Sequence, residues 1–475
     1  MGSEEILCAS APDRDLVSFD GLEQRRRIAQ QRPTVKMNKR IALFPIIFFQ
    51  IYLATSVLTF AFGPWQWPVS NPWQLYSFLI LAQVALLAGY LNAIKKQPRP
   101  ASTKLRVPVA VTVSLVFNYL WIGQTYRIRS GQTFDLGGFI AAVTGGLTDP
   151  GQRYDEKLKN YLLLRAAGAI TIQDYVGLLL FPLLWIAFPL GVVFWKRLSI
   201  PVRVALVVWT ILDLSIWVAA GTNKGIADFI LLLPCLLVAR KPVMLANIKR
   251  RNGMVVGLIA IIGVAALVAF FSLGMLGRSG GKTVMLYEHT TGIGADPDHP
   301  ALRYLPPELQ GPLALFASYF NQGYYGLSLA LKEPFIFCYG VGHSYFLEGL
   351  SRHLVSTPII LNTYPARIAG NGWDPYLRWS SIYPWIASDL SFPGTIVFMF
   401  LIGRLFGLVW LDVAFCRNPW AVCLLPLLLT MLFYVPANNQ VLAFPNAALP
   451  FWALLLMWYF SRARGDAKRR VILTS

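Results

Sequence analysis

The sequence predicts an all-α polytopic membrane protein, and composition, apolar run length and charge placement predict it. The 475-residue chain is 56% hydrophobic and only 14% charged, and its mean hydropathy is +0.52, which is outside the range of large water-soluble domains. Apolar runs near the roughly 20 residues that a helix needs to cross a bilayer recur along the chain. Lys and Arg collect between alternate runs instead of spreading evenly.

Residues 1–40 form a polar tail that includes Arg25, Arg26, Arg27, Arg32, Lys36, Lys39 and Arg40 and has no apolar run. Its small, polar segment 3–20 is expected to be disordered. The tail is too long and too polar for a secretory signal, so the first apolar run is expected to be an uncleaved anchor. Within a membrane domain spanning 41–460, about ten transmembrane helices are expected (range nine to twelve), at 41–62, 73–94, 107–122, 175–194, 204–220, 226–239, 255–276, 386–411, 421–435 and 441–460. The third, sixth and ninth are short, and the ninth contains Pro426. A basic tail, 461–475, closes the chain. No internal repeat is visible, so an inverted-repeat transporter has no support.

Charge sets the expected orientation, because Lys and Arg accumulate on the cytoplasmic side. About two thirds of the 42 basic residues fall in the two tails and in 95–106, 196–203, 240–251 and Arg417. Both termini are therefore expected inside and two long loops, 123–173 and 278–385, outside, each with helical segments. This placement explains most of the net charge of +19 as a topological signal, which argues against nucleic acid as a partner. Cys8, Cys235, Cys338, Cys416 and Cys423 show neither a disulfide framework nor metal-ligand spacing.

In the first outer loop, Arg127 and Arg129 sit just past the third span. Guanidinium groups grip phosphate oxygens bidentately, and the same pair also suits anchoring to lipid headgroups. The apolar stretch 136–147 is too short to span and reads as re-entrant or interfacial. A polar helix is expected over 153–167. Ionisable residues at membrane depth are Asp213, Asp228, Asp389 and Arg404. Lys224 lies in the hairpin Gly221-Thr222-Asn223-Lys224-Gly225, four residues before Asp228, so the two can pair on one helical face or approach an anionic ligand.

The main outer loop holds all four histidines, His289, His299, His343 and His353, and half of the 20 tyrosines. Arg278 opens it at the membrane surface with a Gly-rich strip ending at Lys282, suited to a pyrophosphate. The strip lacks the context of a P-loop. Tyr319, Asn321, Gln322, Tyr324 and Tyr325 combine flat aromatic faces with amides, a composition that suits sugar rings and hydroxyls. His343 falls in the permissive turn Tyr339-Gly340-Val341-Gly342-His343-Ser344, either as a general base or as a structural hydrogen-bonding residue. Arg367, Arg378, Trp379 and Asp389 follow where the chain re-enters the membrane; Trp379 also fits an interfacial aromatic belt. No metal motif and no Gly-x-Ser-x-Gly elbow is present, so no cofactor is expected.

The layout resembles the Wzy-type O-antigen and capsular repeat-unit polymerases, which are GT-C-like integral membrane glycosyltransferases. The resemblance rests on the Gly221–Gly225 hairpin, the Gln322–Leu327 and Gly340–Ser344 strips, and the Trp379…Asp389…Gly394 re-entry. Arg127 to Gly138 also fits an Arg-x10-Gly spacing found in outer loops of that family. The resemblance implies polymerisation at the periplasmic face of the bacterial inner membrane. A growing glycan is moved from undecaprenyl pyrophosphate to a hydroxyl of the next lipid-linked unit, without metal or nucleotide. It further implies a flippase and a chain-length regulator as partners. Transferred to this chain, Arg278 and Arg378, with Arg127, Arg129, Arg367 and Lys224, would hold pyrophosphate. His343 would be the base, with Asp389 its rival. Two alternatives stay open: an O-antigen ligase, and a non-catalytic transporter or flippase of a lipid-linked glycan.

Overall fold

The computed structural model describes residues 37–101, 105–166, 172–246, 268, 287–288, 292–351, 358–375 and 378–474. They are predominantly helical. In chain order the helices are α1 (Lys39–Phe62), α2 (Pro72–Ile94), α3 (Val107–Leu120), α4 (Ile122–Ser130), α5 (Leu136–Thr148), α6 (Pro150–Ala166), α7 (Ile172–Trp185), α8 (Ala187–Val193), α9 (Ile200–Ala219), α10 (Lys224–Arg240) and α11 (Val243–Ala246). After a two-residue antiparallel ladder, Tyr287–Glu288 with Ile293–Gly294, come α12 (Pro307–Ala330), α13 (Tyr345–Ser351), α14 (Tyr364–Arg367), α15 (Ile382–Cys416), α16 (Pro419–Phe433) and α17 (Pro445–Thr474).

Among the described residues, five helical stretches are long and apolar enough to cross a membrane, or six if the bent pair α3–α4 is one span. They are α1, α2, α7–α8 over Val176–Val193, α9 and α15. α10, at 17 residues, and α16, at 15 residues, occupy the expected sixth and ninth positions but are shorter. Apart from residue 268, the expected span 255–276 lies outside the described residues. The third departs from a straight span: the chain turns by 58° at Trp121. Arg127 and Arg129 therefore ride on the last turn of a second helix.

Local chemistry accounts for the helix ends. The Asn38 side chain accepts from Arg40 N and starts α1. Asp135 accepts from Gly138 N at the start of α5, and Asn418 caps α16, with Pro419 at its first position. α1 is apolar on every side: Ile46, Phe49 and Leu53 are buried, while Ile47, Ile51 and Leu58 are exposed. A helix of that kind suits lipid on one face and protein on the other.

α2 and α15 form the spine. A Cβ added at Gly89 would lie 1.9 Å from the Phe400 carbonyl, and one at Gly403 would lie 2.0 Å from the Leu86 carbonyl. Only glycine permits that approach, and Gly403 with Gly407 makes the small-residue spacing that brings membrane helices together. One end of this spine gathers basic residues. There Trp410 Nε1 donates to Ile41 O (2.9 Å), Tyr90 Oη donates to Ala42 O (2.5 Å) and Arg417 donates to Arg240 O (3.4 Å).

At the opposite end, α12 departs from a free outer loop. This 24-residue helix packs into the bundle from Gly311 onward, while its first turn is exposed. Tyr324 is fully buried with its hydroxyl 2.8 Å from Ser56 Oγ. Trp65 Nε1 donates to Ala314 O at 2.6 Å, and Asn71 Nδ2 to Ser328 O at 3.0 Å. Gly323 makes this possible, since a Cβ there would lie 2.3 Å from Pro436 O and 2.5 Å from Ser381 N.

Candidate functional site

α15 is two helices joined at a kink. Ser391, just after Asp389, has φ 62° and ψ 170°. Ser381, which caps the first piece, has φ 56°. Both lie in a region that favours glycine, so the short helix carrying Asp389 is bracketed by two strained serines. Pro393 cannot donate a backbone hydrogen bond, which suits the break.

Asp389 is buried, and its carboxylate gathers three donors. Oδ1 accepts from Gly342 N at 3.0 Å. Oδ2 accepts from His343 N at 2.9 Å and lies 2.8 Å from His343 Nδ1. Gly342 is required at that point, because a Cβ would lie 2.6 Å from Cys338 Cβ and 3.2 Å from Asp389 Oδ1. The Tyr339-Gly340 turn that delivers these donors has positive φ at both residues. The His343 side chain is 17% exposed against 5% for Asp389. With Nδ1 turned to the carboxylate, Nε2 is the nitrogen left to accept a proton.

The surrounding shell fixes this pair. Asn439 Nδ2 donates to His343 O at 2.8 Å. Asn438 Oδ1 accepts from Trp385 Nε1 at 3.0 Å, and Ser381 N donates to Ala437 O at 2.8 Å. Ser388 Oγ accepts from Tyr364 N and donates to Pro384 O. Cys338 N donates to Ser388 O at 3.1 Å. Burial, reinforced by the Asp389 charge, pushes the Cys338 thiol up to about 11. It stays protonated at neutral pH and is not a nucleophile.

Arg367 lies in the same neighbourhood, with its guanidinium over the Tyr364 ring at 4.8 Å. It donates to Glu333 Oε2 (3.3 Å), Pro334 O (2.6 Å) and Asn362 O (3.2 Å), so it already holds the 333–334 turn. A second group forms around the aromatic residues. Trp379 stands edge-on to Tyr319 (5.1 Å) and to Tyr434 (6.4 Å). Tyr434 Oη donates to Asp228 at 2.8 Å, and Lys224 pairs with Asp228 at 2.5 Å, the pairing expected from their spacing. The segment from Tyr434 to Asn439 joins this group to His343. Nearby, Tyr325 meets Trp373 (5.0 Å) and stacks on Trp67 (5.7 Å), and Arg378 lies 6.0 Å over Trp373. Burial lowers the Arg378 guanidinium from its ordinary value.

Other expected site residues are placed elsewhere. Arg129 pairs with Asp213 at 2.7 Å and covers the Trp217 ring at 4.3 Å. That cluster of α4, α5 and α9, with Arg127 on α4, is separate from the His343 pair. Asn321 and Gln322 are buried in α12. The Asn321 Oδ1 atom and the Ser380 and Ser381 hydroxyls are buried without partners. His299 caps the Phe62 carbonyl at 3.0 Å. Arg278, Lys282, His289 and His353 lie outside the described residues. Among the described residues, no three His, Cys, Asp or Glu side chains come together as a metal site.

Sequence reasoning missed the Asn438-Asn439-Gln440 run. Its signal was three amides between two apolar segments. It also missed Asp412, fully buried and bound to Arg462 Nε at 2.8 Å.

Fold and site together define a helical membrane protein with a buried aspartate paired to a partly exposed histidine at one end of its bundle. The chain matches no protein-family model, no curated protein and no solved structure.

Proposed function

We propose that the protein is a Wzy-type polymerase of lipid-linked oligosaccharide repeat units. One observation carries the reading: Asp389 holds His343 through Nδ1 at 2.8 Å, leaving Nε2 as the accepting nitrogen of a partly exposed imidazole. A His oriented by a buried carboxylate is the arrangement of a general base. In this reading Nε2 takes the proton from an acceptor sugar hydroxyl. The hydroxyl oxygen then bonds to the anomeric carbon of the growing glycan, and the bond from that carbon to undecaprenyl pyrophosphate breaks. Arg378 and Lys224 stabilise the departing pyrophosphate, and Arg278, which lies outside the described residues, is given the same role from the sequence. Trp379 and Tyr319 offer aromatic faces to sugar rings. The clustering of Lys39, Arg40, Lys96, Arg240, Arg417 and Arg462 at the other end supports a cytoplasmic assignment there, with the His343 end periplasmic in the bacterial inner membrane. The ten-span topology belongs to the same proposal. Its partners would be the lipid-linked oligosaccharide, membrane lipids, a flippase and a chain-length regulator.

Deleting the gene in its host is expected to leave single repeat units on the surface lipid and abolish long chains. His343→Gln in the restored gene should reproduce that loss with the protein still in the membrane. A normal ladder of chain lengths in either strain overturns the proposal. So do long chains accumulating on undecaprenyl pyrophosphate after deletion, which mark a ligase.

A further inference from the structure

At the basic end of the bundle, α15, α17 and the segment after α2 line an open-sided cavity of about 470 Å³. Lys96, Arg99, Arg404 and Arg462 line it together, with Trp458 and Tyr459 beside them. The carboxylate behind this wall, Asp412, is fully buried and committed. It accepts from Arg99 N (2.8 Å) and Trp458 Nε1 (2.9 Å) and pairs with Arg462 Nε (2.8 Å). Among the described residues neither Lys96 nor Arg404 has a carboxylate partner, and both side chains are exposed.

The rest of the lining is apolar. Leu401, Leu405 and Leu408 follow one another at helical spacing along the α15 face that carries Arg404. Leu401 is exposed, as is Leu456 on α17. The cavity therefore joins a cationic rim to an apolar wall on a membrane-crossing helix. Trp and Tyr at such a rim sit where headgroups meet acyl chains. Arg404 lies well inside the apolar stretch of α15, a position at which a guanidinium needs an anion or a path to the interface.

We infer that this cavity is a binding site for an anionic phospholipid. Its phosphodiester lies among Lys96, Arg99 and Arg404, and an acyl chain runs along Leu401, Leu405 and Leu408. Basic pockets between membrane helices recognise acidic headgroups in this way. A soluble anion would use the cations and leave the leucine wall idle. The site stands apart from the His343–Asp389 pair and does not depend on the polymerase reading.

The test uses the full chain in nanodiscs of phosphatidylcholine alone or with added phosphatidylglycerol, read by thermal unfolding and by lipid retained in native mass spectrometry. Phosphatidylglycerol is expected to raise Tm by several degrees and to remain bound after delipidation. Lys96→Gln with Arg404→Gln should weaken retention about tenfold or more, since each basic residue near an anionic surface contributes a comparable share. The variant's Tm in phosphatidylcholine should match the parent's. If the double variant does not fold, Arg404→Gln alone decides by the same readouts. Equal retention of phosphatidylcholine, unchanged phosphatidylglycerol retention in the variant, or the same Tm rise with inorganic phosphate each overturns the inference.

Discussion

Two aspartates on α15, both buried, sit near opposite ends of the bundle and are satisfied in different ways. Asp412 is held by the Arg462 guanidinium, the Trp458 indole N–H and the Arg99 backbone N–H. None of those donors changes its protonation near neutral pH. Asp389 is held by two backbone N–H groups and by the His343 imidazole, whose second ring nitrogen is left to exchange a proton. Burial and residue type are nearly matched, so the partner decides what each carboxylate can do. The Asp412 set closes on itself and ties α17 and the chain after α2 to α15. The Asp389 set passes its orientation to a ring whose second nitrogen lies at the edge of the site. One reads as a fastener, the other as the support of a reactive group.

The sharpest way to break this comparison is to remove one partner from each set and measure both activity and stability. If His343 is the general base of the proposed polymerisation, His343→Gln is expected to lower that activity about 10²- to 10⁴-fold, with little change in the unfolding midpoint. Asp412→Ala should do the reverse. It leaves the partly buried Arg462 guanidinium and the Trp458 indole N–H without their acceptor and is expected to cost up to about 3 kcal/mol of stability, seen as a fall in midpoint by denaturation in detergent. Adding Arg462→Leu to Asp412→Ala should recover part of that loss, because the uncompensated charge is gone. A stability loss in His343→Gln as large as that in Asp412→Ala would erase the distinction.

A smaller effect tests the spine that holds the two aspartates on one rod. Gly403→Leu places side-chain atoms where Leu86 O already stands, 2.0 Å from an added Cβ. Overpacking of this kind costs about 1–3 kcal/mol. Both ends should suffer together: a lower unfolding midpoint and lower polymerisation in proportion to the folded fraction. Loss of activity with an unchanged midpoint would show that α2 and α15 are not coupled in this way.

What the chain reveals on inspection follows from the range of the interaction. Lys224 and Asp228 are four residues apart, so their pairing is legible. The Gly340-Val341-Gly342 run announces a tight turn ahead of His343, and Ser391-Phe392-Pro393-Gly394 announces the break in α15. Pairs made by distant segments carry no such mark. Arg129 finds Asp213, Asp412 finds Arg462 and Asn439 finds the His343 carbonyl only after the helices pack. The packing of α12 into the bundle was hidden for a related reason. Its tyrosines and amides read as loop chemistry, whereas the small residues Ala314, Gly323 and Gly326, which allow its close approach, leave little trace in hydropathy.

The finest distinction concerns Ser391. Its φ of 62° with ψ of 170° belongs to a region that glycine enters freely and other residues enter at a cost of about 1–3 kcal/mol. Ser391→Gly removes the Cβ that makes the conformation costly. If the kink were only a joint between two helices, the substitution would raise stability by about 1 kcal/mol and leave activity alone. If the strain holds the 382–390 helix so that Asp389 meets both backbone donors and the imidazole, the stability gain should come with a several-fold fall in polymerisation. The fall follows from freer motion of Asp389 relative to His343. Ser391→Ala retains the Cβ and the strain, so it should leave both quantities near the parent's. A glycine variant that gains no stability would mean that the backbone at 391 carries no strain, and Asp389 would then be positioned by its hydrogen bonds alone.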